Sequence, residues 1–498
     1  MWLDHTMNAV PSLRIDMTDT IGAVRDVLAA AEFTDQTVSS VFAGVAEGDK
    51  LGPWRMQALL RRTAEPTARN TLVRLLTFGV EVAESEAAAA VAPMALDDWI
   101  ELGLVRRTGS GIAANCHIRA FHHDYLCSDF SAATAGPTDF VMGVSPSGKT
   151  LAGATLRHQV GSSLDLGTGS GFLALLLARH SDHVVATDIN PRAINFARFN
   201  AVLNGLDIEV RSGSFFEPVG DDRFDLIVSN PPFVITPSAS HMYMHGGLDG
   251  DGVSRYIADA APQLLNEGGY CQFLASWMVT DESDWEAQLA AWFVDSGCDV
   301  WVLHQPIVSP EKHTLEWLPT EGDAATAVAD VDHWLSYFAS RGVAGIGTGL
   351  VTMRLDPGGS NVIAIDEAPK EATLQAGDAT KSGFDLRVWL ATASDAELLG
   401  GVYRIAADVR LEQTWQPVRG EGWGSSAMRL ERTTGYRYRQ DLDQIASELM
   451  RRCEAGPPLR AVVAQMAAET KSDAAAFEAE ALPVVRRLLL GGFLQRVP

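Results

Sequence analysis

Apolar residues recur at helix spacing through the first part of the chain, at Ile21, Val24, Val27 and Leu28, then at Leu59, Leu72, Leu75 and Leu76. That period predicts amphipathic helices over residues 1–130. Shorter helices follow at 71–79, 84–91 and 96–101, the last stopped by Gly103. Segments 104–107 and 112–116 bracket Thr108-Gly109-Ser110-Gly111, a hairpin signal. Helices followed by a small hairpin predict a helical, winged-helix-like N-terminal domain. Arg106 and Arg107 on the wing read either as phosphate contacts or as solvated surface. From 138 to 355 the pattern changes. Strands at 163–166, 183–187, 208–212, 225–229, 270–274, 300–304 and 350–355 alternate with helices at 172–179, 191–204, 253–265 and 284–295. This predicts an α/β domain with a seven-stranded, mostly parallel sheet and an insertion near 305–349. A polar stretch, 356–381, reads as a linker. An α+β C-terminal module is expected over 384–498, opening with a strand-like piece at 384–390.

The 498 residues are 47% hydrophobic and 20% charged, which allows large cores and excludes global disorder. A formal net charge of -24 opposes nucleic-acid gripping and anionic membranes as whole-chain functions, and favours a positively charged protein partner. The start carries no basic stretch leading into an apolar one, and no apolar run is long enough to span a bilayer, so a cytoplasmic protein without membrane contact is expected. Five cysteines without a CxxC exclude a disulfide framework. Cys116, His117, His122, His123, Asp124 and Cys127 cluster at spacings that fit no standard zinc pattern, so ordinary packing is expected there and no metal.

Two glycine-containing segments compete for the chemistry. Asp165-Leu166-Gly167-Thr168-Gly169-Ser170-Gly171 follows a strand and enters an apolar helix. Its glycines allow a tight turn and close approach of a ligand, and the helix start offers N–H groups. Asp188 follows Gly167 by about twenty residues, the distance at which a carboxylate accepts ribose hydroxyls. The loop lacks the GxGxxG spacing of dinucleotide sites, so one nucleoside with a small polar tail fits better. The rival, Gly143-Val144-Ser145-Pro146-Ser147-Gly148-Lys149-Thr150, formally matches GxxxxGK[ST]. Pro146 lacks an N–H in a loop that works through N–H groups, and the alternative is that this segment covers the mouth of the neighbouring pocket.

The fourth strand ends in Asn230-Pro231-Pro232-Phe233, at the carboxyl edge where open α/β sheets bind ligands. The Asn230 amide oxygen and the Pro231 carbonyl can accept two hydrogen bonds from one NH2 group, while Phe233 lies against a flat surface. The set suits a planar, weakly nucleophilic nitrogen, either a side-chain amide or the exocyclic amine of a base.

These motifs resemble the class I S-adenosylmethionine-dependent methyltransferases, specifically the N-methyltransferases with an Asn-Pro-Pro-aromatic motif. The likeness covers about residues 140–305 and is greatest to the HemK-like glutamine methyltransferases of translation release factors, which also place a segment like Gly246-Gly247-Leu248-Asp249-Gly250 after that motif. The resemblance implies a Rossmann-like domain with S-adenosylmethionine as cofactor. It assigns Asp165, Gly167, Thr168, Gly169 and Gly171 to the methionine part, Asp188 to the ribose, and Ile189, Ser214 and Phe215 to the adenine. Asn230, Pro231, Pro232 and Phe233 would form the acceptor site, and Asp249 would order its own glycine loop. The family usually has Tyr where this chain has Phe233, and NPPF also occurs in enzymes that methylate RNA adenine or guanine. A protein glutamine on a translation factor is therefore the first expectation, RNA or DNA adenine-N6 or guanine-N2 the second, and a small molecule the third. His241 and His245 are candidates for facing the substrate.

Overall fold

The computed structural model describes residues 12–45, 53–130, 139–237, 247–318, 324–359, 361–369, 376–419 and 422–497. The chain divides into two compact units. The first comprises Met1–Gly148, Gln159–Glu282 and Val308–Ile346, and the second Lys149–His158, Ser283–Ile307 and Gly347–Pro498.

In the first unit the early residues form helices Thr18–Ala30, Asp35–Phe42, Pro53–Arg62, Ala68–Leu72, Glu84–Ala90 and Leu96–Glu101. Ile21, Val24, Val27 and Leu28 are the buried stripe of the first, at the spacing read in the sequence. Strands β1 (Val105–Arg107) and β2 (Ile112–Ala114) pair antiparallel about the Thr108–Gly111 turn. Arg106 donates to the Ala114 carbonyl (3.1 Å) and to Asn115 Oδ1 (2.7 Å), and Arg107 lies between Glu84 (2.9 Å) and Asp97 (2.7 Å). Both guanidinium groups are thus engaged within the protein rather than held out for phosphate.

A second hairpin, β3 (His117–Phe121) with β4 (Asp124–Ser128), occupies the cysteine–histidine cluster, where the sequence reads strand then loop. Its turn has no Asn-Gly or Gly signal; His122 itself takes the left-handed conformation at φ 52°. Cys116 and Cys127 are buried, and burial pushes the His117 imidazole down to about 4. Among the described residues no group of three or more His, Cys, Asp or Glu is placed to hold a metal ion.

Strands β5 (Val160–Leu166), β6 (Ser181–Asp188), β7 (Glu209–Ser212), β8 (Phe224–Ser229) and β9 (Leu265–Val279) follow, all paired parallel in the order β7-β6-β5-β8-β9. From β5 the chain moves outward through β6 and β7, then returns to the other side of β5 as β8. The crevice between the carboxyl ends of β5 and β8 is therefore the topological switch point, where sheets of this kind bind ligands. The glycine loop leaves β5 there, and Asn230 leaves β8.

The second unit carries β10 (Cys298–His304), most of β11 (Gly345–Leu355) and β12 (Ile363–Glu367), with β10 antiparallel to β11 and parallel to β12. In strand order the sheet is β12-β10-β11-β9-β8-β5-β6-β7, eight strands and mostly parallel, a class I Rossmann-like methyltransferase fold. Seven strands are expected from the sequence. The eighth, β12, lies in the stretch read as a linker. It is a short edge strand, half-exposed over Ile363–Asp366 and flanked by polar residues, so its composition resembles a loop.

The rest of the second unit is α+β. Helix Gly377–Thr392 absorbs the strand-like 384–390 piece. Phe384, Leu386, Val388 and Leu390 alternate as a strand would, but the helix buries Phe384, Arg387 and Leu390. Strand β13 (Tyr403–Ile405) precedes the long hairpin β14 (Val409–Val418) and β15 (Gly422–Arg432), then β16 (Arg439–Leu442). Helices Gln444–Cys453, Leu459–Thr470 and Ala474–Leu490 follow, and β17 (Leu494–Arg496) closes on β13. No helix among the described residues is long and apolar enough to cross a membrane.

One helix, Pro191–Asn204, joins the early residues to the sheet. Its Ala193, Phe196, Phe199 and Leu203 belong to the same core as Ile21, Leu76 and Trp99. Three asparagines reinforce the junction with paired backbone hydrogen bonds. Asn195 grips both backbone groups of Leu13 (2.9 Å each), Asn200 those of Cys127 (2.8 and 2.9 Å), and Asn204 those of Tyr125 (2.8 Å each).

Candidate functional site

A cleft of about 440 Å³ opens at the switch point. Gly167, Thr168, Gly169, Asp188, Ile189, Ser214, Phe215 and the whole Asn230–Phe233 segment line it, so the structure brings most of the sequence-derived residues together. Asp165 and Gly171 do not line it; they stand behind the loop.

The loop is held mostly by its own N–H groups. Those of Gly167 and Thr168 donate to the Thr187 carbonyl (2.9 and 2.8 Å), that of Gly169 to Asp188 Oδ2 (2.8 Å), and that of Gly171 to the Thr168 carbonyl (2.9 Å). The N–H groups of Gly167, Thr168 and Gly169 are thus spent within the protein, holding the loop against the end of the neighbouring strand. Gly167 and Gly169 take φ of 74° and 55°, and a Cβ on either would project into open space. Gly171 (φ 87°) serves packing, since a Cβ there would lie 3.2 Å from Ala197 Cα.

Asp165 is fully buried. Its Oδ2 accepts from the Thr168 hydroxyl (2.6 Å) and the Ala174 N–H (2.9 Å), while Oδ1 has no partner. Burial pushes the carboxyl up to about 7, against the two hydrogen bonds. Asp165 therefore braces the loop from behind rather than facing the cleft. Asp188, on the end of β6, accepts from Gly169 and Asn190 N–H (2.8 Å each), and burial raises its pKa. Ile189 is 57% exposed, an apolar surface open to a flat ring. Phe215 holds a left-handed conformation (φ 45°), unusual for a bulky residue, and its ring meets Tyr256 at 4.9 Å. These residues fit S-adenosylmethionine: glycines that leave open space for its methionine part, a carboxylate for the ribose, and apolar surfaces for the adenine.

On the acceptor side, Asn230 Nδ2 donates to Ser147 Oγ (3.3 Å), and the buried Oδ1 has no partner. The Pro231 carbonyl accepts the Phe233 N–H (2.7 Å) in a tight turn, so one of its two lone pairs is already used. Ser229 Oγ donates to the Leu166 carbonyl (2.7 Å), tying the two strand ends that carry the site.

The GxxxxGK[ST] segment is not a phosphate loop. Ser145 Oγ accepts the Gly148 N–H (2.9 Å) and caps a helix, Pro146–Ala154, that begins inside the motif. Its first residues line the cleft, as the alternative reading expected. Asp249 bonds Tyr337 Oη (2.8 Å) and Arg341 (2.7 Å), and Arg341 also sits 3.8 Å from the Tyr337 ring centroid; the neighbouring arginine holds the carboxyl below its ordinary range. His241 and His245 lie outside the described residues.

Sequence reasoning missed Ser147, Ser229, Asn200 and Trp317. Ser147 carried a signal, the Ser-Pro start of a helix beside the glycine loop. Trp317 carried none, because nothing local links it to Asn230. Among the described residues lining the cleft, Asp188 is the one ionisable side chain.

Residues 145–283 match the family model "Methyltransferase small domain"; residues 30–115 and 381–496 match two domains of unknown function, DUF7059 and DUF7782. A release factor glutamine methyltransferase of Geobacter sulfurreducens is 42% identical over 120 residues, covering 22% of this chain and 42% of that protein. A ribosomal protein uL3 glutamine methyltransferase of Bradyrhizobium diazoefficiens is 37% identical over 150 residues, 26% of this chain and 47% of that protein. The chain thus spans less than half the length of these relatives. A solved SAM-dependent methyltransferase from Thiobacillus denitrificans, in complex with S-adenosyl-L-homocysteine, aligns over 42% of this chain and 91% of that one, with 19% identity and a TM-score of 0.25.

Proposed function

We propose that the protein is an S-adenosylmethionine-dependent N-methyltransferase whose acceptor is the side-chain amide of a protein glutamine. The carrying observation is the buried, unpartnered Oδ1 of Asn230 at the floor of a cleft whose described lining holds no lysine, arginine or histidine. An aliphatic amine, protonated at neutral pH, would need a base to free its lone pair first, whereas a planar amide nitrogen arrives uncharged. The matches to glutamine methyltransferases support the same choice.

S-adenosylmethionine supplies an electrophilic methyl group. Within this reading, Gly167, Thr168 and Gly169, braced by Asp165 and Gly171, hold its methionine part. Asp188 holds the ribose, and Ile189, Ser214 and Phe215 hold the adenine. Asn230 Oδ1 and the remaining lone pair of Pro231 accept the two N–H groups of the acceptor. Those hydrogen bonds strengthen as nitrogen becomes positive, which is where electrostatic stabilisation counts. The extra proton then leaves to solvent, so no dedicated base is required.

The early helices with the β1–β2 hairpin are proposed as a winged-helix-like module that braces helix Pro191–Asn204, and residues 384–498 as an accessory α+β module. A translation protein as partner implies a cytoplasmic setting. The test incubates the protein with S-adenosylmethionine and, separately, a purified release factor, ribosomal protein uL3 and total RNA, and reads methyl groups by mass spectrometry. Methylglutamine is expected; methylated bases alone would refute the reading. Asn230→Ala should retain cofactor binding and lose about 100-fold or more in turnover.

A further inference from the structure

We infer that Trp317 is the specificity-determining wall of the acceptor subsite, admitting an uncharged planar amide carried on an apolar stem. The inference rests on the glutamine reading above and adds a residue outside the matched stretch, 145–283.

Trp317 ends the helix Pro310–Trp317 and lines the same cleft as Asn230. Its indole is 37% exposed and meets the Phe233 ring edge-to-face, centroids 6.4 Å apart at 88°. The two rings make a right-angled corner in the cleft that Asn230, with its unpartnered oxygen, also lines. A flat group can lie along one ring and abut the other, and its methylene stem finds apolar contact there.

The placement of this wall is referenced to the acceptor loop itself. His313, one turn before Trp317, is buried and bonds the Ile235 carbonyl through Nε2 (2.9 Å), two residues after Phe233. Burial keeps that imidazole neutral, so the Nε2–H donates and Nδ1 stays bare. Ile235 also packs with Trp334, Phe338, Val343 and Ile346, fixing the second side of the same loop. The Trp317 helix is therefore tied to the acceptor loop two residues beyond Phe233. The corner carries no ionisable group among its described residues. A charged acceptor would lose its hydration there and find one neutral oxygen in return.

The test measures methyl transfer to a purified release factor, with ribosomal protein uL3 in parallel, for the wild type, Trp317→Phe and Trp317→Ala. Calorimetric S-adenosylmethionine binding serves as the control for folding. Expected is unchanged cofactor affinity, a rise in acceptor KM of about three- to tenfold for Trp317→Ala with a smaller fall in kcat, and an intermediate value for Trp317→Phe, the size of one aromatic contact. Unchanged KM in both variants, or a cofactor affinity that falls with the indole, would overturn the inference while leaving the glutamine reading intact. A wild type that binds the cofactor but methylates no glutamine would overturn both. If Trp317→Ala does not fold, Trp317→Phe decides, since it keeps a ring at the corner.

Discussion

Asn200 is the residue through which the glycine loop and the early hairpin depend on each other. Its side chain is fully buried; Oδ1 accepts the Cys127 N–H (2.8 Å), and Nδ2 donates to the carbonyls of Cys127 (2.9 Å) and Ser170 (2.7 Å). Strand β4 pairs with β3 on one edge only, so alternate backbone groups, at Tyr125 and Cys127, point toward the helix and have the asparagines as partners. Asn200→Ala orphans one N–H and relieves two carbonyls of their donor, all in a dry setting. At about 1–2 kcal/mol per group the loss is about 3–6 kcal/mol. Asn200→Asp separates hydrogen bonding from packing. It keeps the shape and the acceptor for Cys127 N–H but turns a carboxylate toward two carbonyl oxygens, so it should be no more stable than the alanine variant. Urea unfolding followed by circular dichroism reads the first transition, because two units need not unfold together. Calorimetry reads S-adenosylmethionine affinity, which should weaken several-fold because the Ser170 end of the loop is released. An Asn200→Asp variant as stable as the wild type would refute the reasoning, since it would mean that shape alone joins helix to strand.

Two further outcomes follow from the same geometry. Asp165 titrates at about 7 when folded against an ordinary 3.8, so the folded state keeps a proton that the unfolded chain releases; the stability this gives is full below 3.8 and is lost as pH rises through 7. Between pH 5 and pH 8 the loss amounts to about 3 kcal/mol, and urea unfolding at those two values should show Asp165→Asn gaining on the wild type at the higher pH; parallel profiles would contradict the burial argument. Ser147→Ala should lower methyl transfer about three- to tenfold without changing cofactor affinity, because the Asn230 amide loses the bond that orients it, and Ser147→Thr should restore most of the rate, as steady-state kinetics would show.

The parts of this molecule that were legible in the sequence are those in which a few neighbouring residues must do one thing. The loop 165–171 reads as a turn between strand and helix, and Asn-Pro-Pro-Phe as the end of a strand with an amide at the cleft. Asp188, singled out by its distance from the loop, lines the same cleft. What escaped was joined through space. Trp317 and Phe233 are far apart in the chain, and β12 is a strand because β10 offers it an edge. Asn200 and Asn204 sit four residues apart among buried phenylalanines, which reads as indifferent helix surface until a strand edge lies against it. That the loop's N–H groups at Gly167, Thr168 and Gly169 bond the Thr187 carbonyl and the Asp188 carboxylate also depends on a neighbouring strand and was not readable from the loop itself. The GxxxxGK[ST] match failed for a reason present in the letters, a serine cap and a proline at the first helical position.

The shared core of helix Pro191–Asn204 bears on what counts as a separable piece of this protein. The residues that match a methyltransferase model are not a self-sufficient body. Excised at 145, they would present Phe196, Phe199 and Leu203 to water, together with three amides that have lost their strand and loop partners. The end of the helix that Asn190 caps, beside Asp188 at the cleft, hangs from that same rod. The leading helices and hairpins are thus a structural half of the domain that carries the cleft rather than an appendage to it, and divergence at their contact face would be read out at Asp188.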